Sequence, residues 1–232
     1  MTASFDPSRE PHPAVSVDVV LLTILQKQLR VLLVRRAIPP FRGRWALPGG
    51  FVRMDESLDH AARRELREET GVSVRWLEQL YTFGDVRRDP ARRVITVAYY
   101  ALVDAAALAP RGGTDAGDAR FFAIDALPGK LAFDHESILA HALARLRYKT
   151  EYAPVAFQLL PERFTLGELQ AAYEVVLGRT LDKRNFRRKI LALGILEEAS
   201  ELRREGRGRP ASLYRFRPDR FEDLGGGVVL AF

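Results

Sequence analysis

The first half of the chain contains short, largely apolar runs rich in β-branched residues, which are typical of β-strands. After a polar, proline-rich stretch over residues 1–12, which we expect to be a flexible tail, β-branched residues dominate AVSVDVVLLTILQ and QLRVLLVRR. A short turn near Gln26 separates these segments, so they predict a hairpin or meander. Further strands are predicted in WLEQLYTFGD, RVITVAYYALVD and DARFFAI.

Two segments in this half carry the helical period instead. One runs from about Asp55 to Thr70 and stops at Gly71, a residue type that commonly ends helices. The other is DHESILAHALARLRYKT, over residues 134–150. Strands mixed with two helices predict an α+β domain over residues 13–150. A sharp backbone bend is predicted between its strands, at Pro48, Gly49 and Gly50.

The pattern changes after residue 150. PVAFQLL, FTLGELQAAYEVVLG and DKRNFRRKILALGIL have helical periodicity and short connections. LEEASEL, the basic turn RREGRGRPA and SLYRFRP follow, as two strands joined by a tight tip. Three helices and a hairpin in this order predict a winged helix-turn-helix domain over residues 151–232.

Composition narrows the class of protein. The 232 residues are 47% hydrophobic and 28% charged, which is ordinary for a folded domain. The chain has no cysteine, which excludes disulfides, thiol catalysis and cysteine-ligated metal. No apolar run reaches the ~18 residues of a membrane span, and the N-terminus lacks signal-peptide character. We therefore expect a cytoplasmic protein without a membrane partner, and a nucleoid-associated one if it binds DNA.

The positive charge is concentrated in the second domain. Eleven Lys or Arg and four acidic residues lie between Lys183 and Arg217, a net charge of +7 in a chain whose total is +6. The rest of the chain is therefore nearly neutral, which predicts an anionic partner for this segment.

The first predicted helix carries candidate chemistry. On a wheel of ~100° per residue, Glu65, Glu68 and Glu69 share a face with the apolar Leu58 and Ala61. Three inward carboxylates repel one another unless a cation compensates them, and oxygen ligands favour Mg²⁺ or Mn²⁺. The alternative is an ordinary solvated charged helix.

The spacing around this helix resembles the Nudix box. Gly50, five residues, Glu56, seven residues and then RELREETGV from Arg64 to Val72 match it at every defining position. The resemblance implies an α/β/α sandwich that binds a nucleoside diphosphate linked to another group and cleaves it with metal. It implies metal ligands at Glu65, Glu68 and Glu69, a further acid at Glu56, and an orienting role for Arg64. Gly49, Gly50 and Arg44 are candidate ligand-binding residues, although Arg44 could equally be a plain surface arginine.

The predicted third helix of the second domain suits a DNA groove. Asp182 can cap it, Phe186 and Ile190 form its buried seam, and basic residues occupy its exposed side. The candidate base-reading and phosphate-binding residues of the helix are Lys183, Arg184, Asn185, Arg187 and Arg188. Those of the wing are Arg203, Arg204, Arg207 and Arg209. A solvated charged face is the alternative for each.

The two domains in this order resemble the Nudix-related transcriptional regulators, the NAD-metabolism repressors of bacteria. Beyond the box, the resemblance includes GDVRRDPARRVITVAYYAL, FDHESILAHALARLRYKTEY, LPERFTLGELQAAYEVVLG, DKRNFRRKIL and GRPASLYRF. It implies a homodimer that binds a palindromic operator and senses ADP-ribose or a related metabolite.

Three functions remain open on the sequence. The first is such a ligand-responsive repressor, in which ADP-ribose weakens operator binding through the helix over residues 134–150. The second is an ADP-ribose or nucleoside-diphosphate pyrophosphatase whose C-terminal domain is accessory. The third is a structural winged-helix adaptor with an inactive Nudix domain. The complete box leaves hydrolysis possible, whereas the basic segment favours the repressor.

Overall fold

A computed structural model describes residues 12–108, 119–203 and 210–223. The predicted tail falls almost wholly outside these residues, and the wing residues Arg204, Arg207 and Arg209 lie outside them. The first part of the described chain folds as a mixed α/β sandwich. Its strands are β1 (Ala14–Leu25), β2 (Gln28–Arg35), β3 (Trp45–Ala46), β4 (Gly49–Phe51), β5 (Leu77–Phe83), β6 (Val94–Leu102) and β7 (Ala119–Ala123). Its α-helices are α1 (Leu58–Thr70) and α2 (His135–Thr150), and a short 3₁₀ helix covers Ala105–Leu108.

The seven strands form one sheet with the order β3-β2-β1-β6-β5, to which β4 adds beside β1 and β7 beside β2. β1 and β6 run parallel, from Ala14 opposite Val94 to Leu22 opposite Leu102, and the other pairs are antiparallel. Because side chains alternate across a strand, β1 has an apolar row on both faces. Val17, Val19 and Leu21 pack with α1, and Val20 and Leu22 lie in the core that α2 joins. The predicted α/β/α sandwich is confirmed.

The second part forms a winged helix. Its α-helices are α3 (Leu166–Leu177), α4 (Lys183–Ala192) and α5 (Pro218–Asp223), and its strands are β8 (Phe164–Thr165), β9 (Leu196–Arg203) and β10 (Ala211–Phe216). The three strands pair in the order β8-β10-β9. Phe157, Phe164, Tyr173, Phe186 and Ile190 belong to one core cluster. The fold class predicted from the sequence is therefore confirmed for both parts of the chain.

Two elements of the winged helix differ from the sequence-based expectation. PVAFQLL forms a 3₁₀ helix over Pro154–Leu159 and not an α-helix. The segment has only six residues before an extended Leu160, which is fewer than two turns of α-helix. Phe164 and Thr165 pair with β10 and form a third strand of the wing sheet. The sequence did not predict this strand, because the two residues stand at the start of a helical pattern.

The two parts of the chain share a core. Val155 and Leu159 of the 3₁₀ helix and Val176 of α3 belong to the same buried cluster as Ile138 and Leu146 of α2. α2 therefore packs against the Nudix sheet and the winged helix together. The domain boundary near residue 150 stays a prediction from the sequence.

Candidate nucleotide pocket and DNA-binding surface

The bend between β3 and β4 lies directly against the acidic helix. Gly49 pairs with Asp18 across β4 and β1, and a Cβ on Gly49 would lie 2.2 Å from the Val17 carbonyl oxygen. A Cβ on Gly50 would lie 2.4 Å from Glu65 Oε1. The Gly49 contact is with backbone, so only glycine lets the turn approach β1 so closely, whereas a side chain at position 50 would displace the Glu65 carboxylate.

Arg64 compensates most of the carboxylates of the box. Its guanidinium is 9% exposed and donates to both oxygens of Glu56, at 2.6 and 2.8 Å. Nη1 also donates to Glu65 Oε1 at 2.6 Å and to Glu68 Oε2 at 3.1 Å. The hydrogen bonds from Arg64 lower the pKa of Glu56 to about 2, and the bonds to Glu56 first of all raise the pKa of Arg64. The orienting role that the resemblance implied for Arg64 agrees with this geometry.

The three glutamates of the helix do not share one environment. The Glu65 side chain is 13% exposed, whereas that of Glu68 is 47% exposed. Glu69 accepts a hydrogen bond from the Gly49 amide at 3.0 Å, and desolvation of its carboxyl raises its pKa to about 7. The expectation of three inward carboxylates therefore holds for Glu65, whereas the residues Glu68 and Glu69 are exposed.

The arrangement does not assemble a metal site. Among residues 12–108, 119–203 and 210–223, no group of three or more His, Asp or Glu side chains is placed to hold a metal ion. Arg64 donates hydrogen bonds to Glu56, Glu65 and Glu68, and Glu69 accepts one from the Gly49 amide. The donor types suit Mg²⁺ or Mn²⁺, but the carboxylates would have to leave Arg64 to bind either ion.

A cavity of about 200 Å³ opens beside this turn. Three arginines line it, together with the two glycines and two aromatic rings. The lining residues with these properties are Arg36, Arg88, Arg92, Gly49, Gly50, Phe51 and Phe133. Guanidinium groups bind phosphates, and the rings offer stacking surfaces, so the cavity suits an anionic ligand with a flat ring.

The sequence reasoning missed most of this lining. Arg88 lies in the loop DVRRDPARR, where six charged residues, four of them arginines, make one arginine look like any other. Arg44, which the sequence suggested, does not line the cavity; it is exposed and lies over the Phe41 ring at 5.1 Å. Arg36 comes directly after the end of β2, and nothing in the sequence there marked it as a residue of the cavity.

A larger cavity, about 790 Å³, lies where the two parts of the chain meet. Its lining includes Ile24, Leu159 and Val175 and is mostly apolar. Neither the glycine turn nor the arginines of the smaller cavity reach it. We therefore take the smaller cavity as the nucleotide pocket, because its donors match a phosphate-bearing ligand.

Helix α4 presents an open basic face. Asp182 caps it, because its Oδ1 accepts from the Asn185 amide at 2.7 Å, and Phe186 and Ile190 are fully buried. Lys183, Arg184 and Arg188 are exposed. Within the described chain none of these three has a carboxylate partner. This face is therefore available to an anionic partner.

Two predicted DNA-binding residues of α4 are partly engaged. Arg188 Nη2 donates to Asn185 Oδ1 at 2.8 Å, so the amide of Asn185 is turned toward its neighbour. Arg187 is half-buried, and its Nε is buried without a hydrogen-bond partner.

The described part of the wing is held by ion pairs. Arg203 donates to Glu168 at 2.7 Å and to the Arg163 carbonyl at 3.2 Å. Glu168 in turn accepts from the Thr165 amide, completing a capping box at the start of α3. Arg163 pairs with Glu201, and Arg215 pairs with Glu197. Arg203 therefore already has a structural partner.

The chain contains no described helix that is long and apolar enough to cross a membrane.

Comparisons with known proteins agree with both halves of the structure. The NUDIX domain family matches residues 12–142, and the NrtR DNA-binding winged helix domain family matches residues 156–216. The chain thus combines a Nudix domain with a winged helix of one particular type. It is 39% identical to the "ADPR responsive transcriptional repressor NtrR" of Acinetobacter baylyi, over 92% of this chain and 86% of that protein. The chain belongs to the NrtR family.

Solved structures give the same grouping. Shewanella oneidensis NrtR complexed with a 27mer DNA superposes with a TM-score of 0.79 at 40% identity, covering 90% of this chain and 95% of that one. The NUDIX domain of Shewanella oneidensis NrtR complexed with ADP ribose has a TM-score of 0.54 at 37% identity, covering 62% of this chain and 95% of that one.

Proposed function

We propose that this protein is a transcriptional repressor of NAD-metabolism genes whose Nudix domain binds ADP-ribose and thereby releases DNA. The observation that carries the proposal is a single buried core that joins the arginine-lined pocket to a winged helix with an open basic face. The relatives named above, one bound to DNA and one to ADP ribose, support the choice of partners.

We infer the following roles for the basic residues of the winged helix. Arg184 and Arg188 read base edges in the major groove, and Lys183 and the wing arginines bind phosphates. Asn185 and Arg187 contribute after they rearrange, and Arg203 contributes less because Glu168 already holds it. A homodimer binds a palindromic operator whose half-sites lie about one helical turn, roughly 34–36 Å, apart.

Coupling between the two ligands is the direct test. We expect saturating ADP-ribose to weaken operator binding by a factor of about 5–150, and operator DNA to weaken ADP-ribose binding equally. Fluorescence anisotropy on the upstream region of the chain's own gene measures the first, and calorimetry measures the second. The proposal fails if the protein shows no salt-sensitive affinity for that DNA, or if ADP-ribose leaves the affinity unchanged.

A flexible Gly-Ser insertion after Lys149 tests the route of the signal. Both binding reactions should remain, but ADP-ribose should release the operator less completely, because the insertion loosens the chain link between α2 and the winged helix. Release as complete as in the uninterrupted chain would show that the signal does not pass through this link and would leave the packing of α2 on α3 as the route.

Metal-dependent cleavage of ADP-ribose is a second candidate, which the complete Nudix box favours. Such cleavage requires Mg²⁺ or Mn²⁺ to replace Arg64 as the partner of Glu65 and Glu68, with Glu69 completing the ligand set. The ion would activate water and neutralise the charge of the pyrophosphate.

Product analysis distinguishes this candidate from a pure sensor. Incubation with ADP-ribose and either ion should yield AMP, and the double variant Glu68→Gln with Glu69→Gln should yield none while keeping its circular dichroism. Undiminished cleavage in the double variant would contradict the metal assignment. Absence of AMP with the unaltered protein would leave binding as the only role of the pocket.

A further inference from the structure

A buried ionic cluster lies between the nucleotide pocket and the first turn of α2. It consists of Asp18 in β1, Arg88 in the β5–β6 loop, Thr96 in β6, and Asp134 and His135 at the start of α2. Arg88, Asp18 and His135 also line the pocket. The cluster therefore touches both the ligand site and the helix that leads to the winged helix.

Arg88 is the centre of this cluster. Its side chain is 4% exposed, and it holds Asp134 with two bonds, Nε to Oδ2 at 3.0 Å and Nη2 to Oδ1 at 2.7 Å. Nη2 also lies 3.3 Å from Asp18 Oδ2, which accepts from the Thr96 hydroxyl at 2.7 Å. Nη1 has no hydrogen-bond partner among the described residues. A buried guanidinium with unused donors at the pocket suits a phosphate oxygen.

His135 ties the same turn of α2 to the glycine turn. Its Nδ1 accepts from the Leu47 amide at 2.8 Å, and its Nε2 lies 3.5 Å from Asp18 Oδ1. Burial lowers the pKa of His135, so the ring is neutral with one nitrogen accepting and the other donating. Movement at the start of α2 must therefore disturb the turn beside the pocket, and the reverse also holds.

The far end of α2 is fastened to the rest of the molecule. Lys149 forms an ion pair with Glu78 of β5. Arg147 Nε donates to the Val176 carbonyl of α3 at 3.3 Å. α2 thus contacts the pocket through its first turn and the winged helix through its last.

We propose that Arg88 binds the diphosphate of the nucleotide through Nη1, and that Asp134 passes the resulting shift to α2 and, through Arg147, to the winged helix. The inference rests on the proposed function and adds the residues that transmit it. A phosphate at Nη1 and Asp134 at Nε and Nη2 share one guanidinium, so the position of Arg88 that best suits the ligand differs from the position that best suits Asp134 alone. Such a difference is what any ligand-driven shift requires.

The decisive variant is Asp134→Asn. Asparagine is nearly the same size as aspartate and is itself a good N-cap residue. The Asp134 side chain makes no cap hydrogen bond that the substitution could remove. Operator affinity is measured without ADP-ribose and with saturating ADP-ribose. Because the ligand is saturating, a change in its own affinity does not alter the ratio of the two operator affinities. We expect the ratio of the two affinities to fall toward 1 from the ~5–150 of the unaltered protein.

Arg92→Gln is the matched control at the pocket. Arg92 lines the same cavity and lies over the Phe51 ring at 5.5 Å, and the described chain gives it no bond to α2. We expect weaker ADP-ribose binding with an unchanged ratio at saturation. Arg88→Lys should weaken ADP-ribose binding by about tenfold, because a lysine cannot make both hydrogen bonds to Asp134 and also bind a phosphate.

A second pair of variants tests the far end of α2 and does not disturb the buried cluster. Arg147 is exposed, so Arg147→Gln should fold and should lower the same ratio. Arg145→Gln is its control, because Arg145 has no hydrogen bond to α3 within the described chain.

The outcomes separate the inference from the proposed function. If ADP-ribose does not release DNA from the unaltered protein, the proposed function fails. If it does, and Asp134→Asn and Arg147→Gln respond as strongly as their controls, the inference is wrong and the function stands. If Asp134→Asn does not fold, Arg147→Gln alone decides.

Discussion

Helices α1 and α4 are both rich in charged side chains, but α1 carries four acidic residues and three arginines whereas α4 carries five basic residues and no acidic one. In α1 the acidic groups are satisfied from inside the molecule, because Arg64 bonds Glu56, Glu65 and Glu68. In α4 no acidic residue occurs between Lys183 and Ala192, and the exposed Arg184 and Lys183 are left to solvent. Charges that a fold compensates internally support the structure, whereas charges that it leaves open await a partner.

The wing extends the comparison. Arg203, Arg215 and Arg217 belong to the same basic segment as α4, but each is paired with an acidic side chain. Net charge along the sequence therefore overstates the surface available to DNA. The available part is the outer face of α4, together with whatever the wing tip adds.

The largest effect on stability is expected when the arginine shared by the acidic side chains of α1 is removed. Arg64→Ala should lower the free energy of unfolding by about 3–5 kcal/mol, because it leaves several carboxylates without their shared cation. Arg63→Ala is the control on the same helix, since its i,i+4 pair with Asp59 is half-exposed and should matter much less. Urea denaturation measures both. Equal losses in the two variants would show that Arg64 does not hold the acidic cluster together.

An open charge on α4 should affect binding and not stability. Arg184→Ala should leave the free energy of unfolding within about 0.5 kcal/mol and weaken operator binding by about 1–3 kcal/mol, with specificity relaxed at one base pair. Arg217→Ala is the control, because Arg217 is equally basic but paired with Glu197 and Asp219. Anisotropy titrations on operator and scrambled DNA measure the effect. The comparison breaks down if Arg217→Ala costs as much operator affinity as Arg184→Ala.

Arg203 should behave as a structural residue of the wing. Arg203→Ala should lower the free energy of unfolding by about 0.5–1 kcal/mol, because it removes a half-exposed pair with Glu168 at the start of α3. Its operator affinity should fall less than that of Arg184→Ala, with little change in salt dependence. A salt slope reduced by about one unit would instead identify Arg203 as a phosphate contact.

The smallest effect concerns Glu69, and it depends on pH. Its pKa of about 7 in the folded protein lies above the usual 4.5, so stability falls as pH rises through that interval. Glu69→Gln should therefore be more stable than the unaltered protein at pH 8 without metal and no more stable at pH 4. Because the residue remains partly accessible to solvent, we expect under about 1 kcal/mol.

Thermal unfolding at the two pH values measures this difference. Glu68→Gln is the control and should gain nothing, since Glu68 is paired with Arg64. A Glu69→Gln gain that is the same at both pH values would show that the Glu69 carboxyl does not titrate in this interval.

Local features of the chain were predictable from the sequence because they depend on neighbouring residues. The α1 helix ends at Gly71, which has the positive φ of 70° that such an end requires. Asp182 caps α4, and the spacing of Phe186 and Ile190 places both in the core. The Nudix box and the winged-helix order are of the same kind, since both are read along one stretch of chain.

Only the tertiary structure decided which distant residues meet. Arg88 reaches Asp18 over 70 residues and Asp134 over 46, and nothing in DVRRDPARR distinguishes it from the arginines beside it. The conversion of PVAFQLL to a 3₁₀ helix and the pairing of Phe164 with β10 likewise follow from packing. The physical reason is that periodicity and capping act within a few residues, whereas burial of a charge is settled by the elements that close around it. For this protein, that difference separates the helices, which the sequence determines, from the cluster that joins pocket to winged helix, which only the assembled sheet and α2 create.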